Sequence, residues 1–184
     1  MAKIAYYYFD FRDSKKQDCH GLLSSLILQL SVQSDACCDI LSKLYSGIGP
    51  VLTPTLVALK TCVKDMLNQP GQGPIYIIVD GLDECPSSSG TPSARGKVLE
   101  LIEEVVGLEL PNVHLCVSSR PEIDIQKGLA SLNPLQISLH NEIGQEADIT
   151  RYIKSVVNSK RGQDWTEEDG NLVINTLSRK ANGM

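Results

Sequence analysis

The sequence has no C-x-x-C pair, no basic excess and no apolar run approaching the ~20 residues of a membrane span. Each absence removes a class of function. The six cysteines are scattered at positions 19, 37, 38, 62, 85 and 116, and the three histidines stand far apart. Neither set has the spacing of a zinc site or a dithiol redox motif, so all six thiols are expected to serve as small buried hydrophobes. A net charge of −5 leaves no basic face for nucleic acid or an anionic membrane, and neither is expected as a partner. Repeats, low-complexity tracts and heptads are missing too, which excludes solenoids and coiled coils. With no secretory signal in view, a reducing home is expected, and the cytoplasm is the reading carried forward.

What remains is an ordinary globular composition, 42% apolar and 21% charged over 184 residues, the size of one domain. "IAYYYFDF" (4–11) reads as a strand, with the four aromatics of "YYYF" as core. "KKQDCHGLLSSLILQLSV" places Leu22, Leu23, Leu26, Ile27 and Leu30 on one helical face. "CCDILSKLYSGIG" is a shorter helix. Thr53-Pro54 predicts the next helix start, a hydroxyl cap followed by proline at the first helical position. That helix carries Leu56, Leu59, Val63 and Met66. A strand follows at Ile75–Val79, then "CPSSSGTPSARG" as a polar loop. "KVLELIEEVV" is amphipathic through Val98, Leu99, Ile102 and Val105. "VHLCV" is a second buried strand, and after a short helix "LQISL" (135–139) a third. Two helical stretches close the chain, the last capped by Thr166 with Asp169 three residues on and stopped at Asn182-Gly183. Alternating strands and helices predict an α/β fold: a three-layer parallel sheet with helices on both faces.

In such sheets ligands gather at the carboxyl ends of the strands. Here those ends carry Asp10, Arg12 and Asp13; Asp80, Asp83 and Glu84; and Ser118, Ser119 and Arg120. An acid ending a buried parallel strand has the geometry of a Walker B site, where a carboxylate holds Mg²⁺, usually through water, against nucleotide phosphates. A second carboxylate orients or deprotonates an attacking water. Gly81 keeps the turn small and admits phosphate. Arg120 is placed to meet a γ-phosphate. The plain alternatives are an Asp-Gly turn in solvent for "IVDGLDE" and a surface salt bridge for Arg120.

"IYIIVDGLDEC" followed by "VHLCVSSRPE" resembles the NACHT family of STAND-class P-loop NTPases. "YYYFDFRDSKKQD" resembles, more narrowly, the large fungal set with a nephrocystin-like N-terminal NTPase domain. The resemblance implies a nucleotide-dependent signalling switch that binds and slowly hydrolyses ATP or GTP with Mg²⁺. It implies Asp80 as the metal ligand, Asp83 and Glu84 as the catalytic acids, Gly81 as the small residue beside the cofactor, and Arg120 as the nucleotide sensor. It implies a strand order of 5-1-4-3-2. On this reading residues 1–140 are a partial NACHT domain running from its second to its fifth strand, and 141–184 a truncated helical extension.

One departure outweighs the matches. No G-x-x-x-x-G-K-[ST] occurs in these residues, so the backbone cradle, lysine and hydroxyl of a P-loop are missing with the strand that bears them. The expectation is therefore a fragment that is inactive by itself as an NTPase. The strand at 135–139 would then pair with 113–117 or hang loose, leaving an apolar sheet edge. The alternative reading is a non-enzymatic interaction module or gene remnant, pairing with itself as a homo-oligomer or with NACHT-containing partners. A third is a metal-dependent phosphohydrolase using Asp80, Asp83 and Glu84 as direct ligands, with Asp10 and Asp13 as further candidates.

Overall fold

The computed structural model describes residues 1–48, 53–88, 90, 92–137, 145–159 and 165–180. The chain divides into two compact units, Met1–Pro134 and Leu135–Met184.

The first unit is mixed α/β. Three strands, β1 (Lys3–Tyr8), β2 (Ile75–Asp80) and β3 (Val113–Val117), form one sheet in the order β1-β2-β3. Both pairings are parallel, with Tyr8 opposite Asp80 and Val79 opposite Val117. This is the order expected of the second, third and fourth strands. Helices α1 (Cys19–Ser31), α2 (Asp35–Ile48) and α3 (Leu56–Leu67) connect β1 to β2; α4 (Ala94–Val106) connects β2 to β3; α5 (Ile123–Ala130) follows β3. Parallel strands need such crossovers.

The core lies between one sheet face and the helices. Ala5, Tyr7, Ile75, Ile77 and Val79 are buried against the expected face of α1, Leu22, Leu23, Leu26, Ile27 and Leu30, and against Leu59, Val63 and Met66 of α3 and Val98 and Ile102 of α4. The flanking helices bear out the fold class, but the described helices of this unit cover one sheet face. Ile4, Tyr6, Tyr8, Tyr76 and Ile78, pointing the other way, keep 37–53% of their surface. Of the four aromatics expected in the core, Tyr7 and Phe9 are buried and Tyr6 and Tyr8 are not. The outward residues are apolar, as in a sheet built for two covers, which is why their sequence did not alternate.

The two sheet edges differ. On β1, Gln33 accepts the Ile4 N–H (3.0 Å) and donates to the Ile4 carbonyl (2.7 Å), and Gln29 does the same for Tyr6 (3.0 and 2.7 Å). Two side-chain amides, one in α1 and one just beyond its end, thus replace a neighbouring strand. No strand pairs with the outer edge of β3 among the described residues. The strand expected at 135–139 is not found: 135–137 form none, and Leu135 and Ile137 are exposed; 138 and 139 lie outside the described residues. A five-residue alternating run becomes a strand only where it pairs into a ladder.

Local starts differ as well. Thr55, not Thr53, caps α3, accepting the Ala58 N–H at 3.2 Å. Pro54 therefore precedes the cap, and its carbonyl faces His20 Nε2 at 3.3 Å. Helix α4 starts inside the predicted polar loop, capped by Ser93. In the second unit, α6 (Gln145–Val157) and α7 (Glu167–Lys180) are joined by a Thr150–Ser178 hydroxyl bond of 3.1 Å. The expected box at the start of α7 forms: the Asp169 carboxylate accepts the Thr166 N–H and hydroxyl, and Thr166 Oγ1 accepts the Asp169 N–H. The expected stop at 182–183 lies outside the described residues. Among the described residues no helix is long and apolar enough to cross a membrane.

Candidate functional site

Parallel pairing brings the carboxyl ends of all three strands to one edge. β2 runs straight from Val79 into Asp80. Gly81 then takes a left-handed backbone (φ 68°) and opens a 3-10 turn, Leu82–Glu84. The turn is stitched to both neighbouring strands. On the β3 side, the Leu82 N–H donates to the Ser118 carbonyl at 3.0 Å. The Gly81 N–H donates to Ser118 Oγ at 3.1 Å, and that hydroxyl in turn donates to Asp80 Oδ1. On the β1 side, the Phe9 N–H reaches the Asp80 carbonyl at 3.0 Å and the Phe11 N–H reaches Glu84 Oε2 at 3.1 Å.

The predicted residues therefore meet, and most already have partners. Asp83 accepts the Arg120 N–H at 3.0 Å and faces its guanidinium at 3.4 Å. The Asp83 side chain is largely buried and that of Arg120 is 73% exposed, so the arginine head can leave this pair at little cost. Asp80 has one carboxylate oxygen on Ser118, and the other bonds to no group among the described residues. A donor set of one open carboxylate oxygen beside a hydroxyl fits a hydrated magnesium ion. These residues alone do not offset the charge of a polyphosphate chain, which needs the lysine and backbone cradle of a P-loop besides.

Asp10 and Asp13 do not join this set. Arg12 clamps Asp10 at 3.0 and 3.2 Å, and its hydrogen bonds hold that carboxyl below the usual range. Asp13 caps a 3-10 turn, Ser14–Lys16. Ser119 turns away, its hydroxyl donating to the Arg120 carbonyl. Among the described residues no three His, Cys, Asp or Glu side chains gather as a metal site.

The family described as nephrocystin 3, N-terminal, matches residues 1–120. The chain belongs to this family. No curated protein and no solved structure gives a significant match. The matched stretch of this nephrocystin 3 N-terminal chain takes in all three strands and ends on Arg120.

The sequence reading missed Arg95, which lay within the supposed loop. Only 6% of this arginine is exposed. Its Nη2 donates to the Asp83 carbonyl at 2.7 Å and its Nε to the Cys85 carbonyl at 2.9 Å. Its Nη1 meets both oxygens of Asp124, in α5, at 3.1 and 3.0 Å. One signal was available: a cation in the first turn of a helix opposes the dipole, so it needs a dedicated anion. Four of the six cysteines (19, 37, 62 and 85) are buried as expected, but Cys38 and Cys116 are exposed. Burial pushes the Cys85 thiol up to about 12, and its Sγ donates to the Gln17 carbonyl at 3.2 Å.

Proposed function

We propose that residues 1–134 are the Walker B half of a nucleotide-dependent signalling switch of NACHT type. The observation that carries this reading is the closed set at one strand edge: Asp80 with a free oxygen beside Ser118, Asp83 paired with an exposed Arg120, and Glu84 one residue on. Asp80 is the residue to hold Mg²⁺ through water. Magnesium held there would supply positive charge to offset that of a nucleotide's phosphates. Asp83 and Glu84 orient a water for in-line attack, Gly81 keeps side-chain bulk away from the phosphate, and Arg120 leaves Asp83 to meet the γ-phosphate of ATP or GTP. The phosphate cradle is not among these 184 residues, so the polypeptide by itself is inactive as an NTPase.

The test is binding of a fluorescent ATP analogue with Mg²⁺ to the purified chain and to Asp80→Asn. No saturable binding at roughly tens of micromolar is expected. Saturable binding that Asp80→Asn abolishes would overturn the claim that the polypeptide is inactive by itself. Mn²⁺ binding, followed by water-proton relaxation, tests the metal role separately. Weak binding that Asp80→Asn reduces is expected, and an unchanged titration removes Asp80 from it.

A second reading is favoured by the open β3 edge and the uncovered apolar face. The unit then acts as an interaction module, pairing with a second copy or with another NACHT-type sheet, in the reducing cytoplasm. Sedimentation velocity over a wide concentration range tests it. Association is expected, and a monomer throughout sinks it.

A further inference from the structure

Asp83 is held twice. Its carboxylate holds Arg120, and its carbonyl is held by Arg95. Arg95 in turn holds Asp124, four residues beyond Arg120. Segment 120–124 is therefore fastened at both ends to the same turn. The fastening is asymmetric: the Arg120 guanidinium is solvent-facing, and the Arg95 side chain is 8% exposed. A buried guanidinium keeps its place only if its donors are paired. Here Nε, Nη1 and Nη2 each point at a different partner, a division that the planar fork of arginine permits and a lysine ammonium cannot copy.

We propose that Arg95 is a positioning residue for the acidic turn. It fixes the Asp83–Cys85 backbone through two carbonyls, and it makes the aim of the Asp83 and Glu84 side chains depend on where α5 sits. The inference rests on the role given above to Asp83 and Glu84. Movement of Arg120 away from Asp83 frees one end of segment 120–124; Arg95 keeps the other. A shift of α5 through Asp124 is then felt at the catalytic turn, and a change at the turn is felt at α5.

The test uses amide NMR of the 184-residue chain. The Arg120 and Phe11 amides donate to the Asp83 and Glu84 side chains, so they report carboxylate position without nucleotide. Arg95→Lys and Asp124→Ala are expected to shift both resonances and speed their hydrogen exchange about tenfold, with the α1 amides unchanged. Asp124→Asn, which keeps one acceptor oxygen, is expected to lie between. Should Arg95→Lys fail to fold, the half-exposed Asp124 carries the same test. Arg120 and Phe11 amides that stay in place in the Asp124 variants overturn the proposal, whatever Mn²⁺ does at Asp80. Moved amides with no Mn²⁺ binding in the unmutated chain sustain the coupling and remove the metal reading instead.

Discussion

A Cβ built on Gly81 would meet nothing nearer than the Phe9 carbonyl at 3.5 Å. Alanine therefore fits the space but must hold a left-handed backbone, at about 1–2 kcal/mol. Gly81→Ala is expected to lower unfolding free energy by that amount in urea melts. Gly21 is the opposite case: its Cβ would sit 2.6 Å from the Lys15 carbonyl and 2.7 Å from the Tyr7 hydroxyl, so Gly21→Ala is expected to cost more. Ionisation gives a second residue-scale prediction. Burial pushes Cys19 and Cys62 up to about 11 and Cys85 and Tyr7 to about 12, from ordinary values of 9.0 and 10.0. Unfolded, these groups lose protons first, so the folded state binds more protons through this window. Stability is thus intact below pH 9.0 and falls as pH rises through about 12, which urea melts stepped upward in pH will show. At neutral pH, Cys38 and Cys116 are expected to react with a thiol reagent well before the four buried thiols. The gathering of Asp80, Asp83, Glu84 and Arg120 at one sheet edge was legible because parallel strands end on the same side. Arg95 was not, because the sequence shows its neighbours in the chain and not the carbonyls it reaches.

At the scale of elements, boundaries depended on choices that the sequence left even. Thr53 and Thr55 are both hydroxyl residues flanking one proline, and the register of α3 on the core decides between them. Thr55→Ala is expected to cost about 1 kcal/mol and Thr53→Ala almost nothing, read from thermal or urea melts. The run at 135–139 has the composition of a strand but 135–137 form none, and composition alone does not make one. The helix faces of α1, α3 and α4 were legible because a 3.6-residue period needs no partner to be seen. The glutamine clamp on β1 was invisible, since Gln29 reads as a polar position on an amphipathic helix and Gln33 falls just past its end. Replacing both with alanine leaves the Ile4 and Tyr6 backbone groups open. The double variant is expected to aggregate faster than the parent, followed by light scattering.

For the whole molecule, strand direction followed from the alternation of elements and strand order from the family resemblance, and from them came the gathering of the site. Which sheet face is covered did not follow: apolar residues at 4, 6, 8, 76 and 78 state that a cover is wanted and not who brings it. The two edges of the sheet then set a counting rule. A strand can join at β3, but β1 is closed by its own helix at Ile4 and Tyr6, so an arriving chain presents the same stopped end on its far side. Stacking sheet on sheet edgewise ends after one addition. For a second copy of this chain, the glutamine pair makes such an assembly finite, a pair and not a fibre.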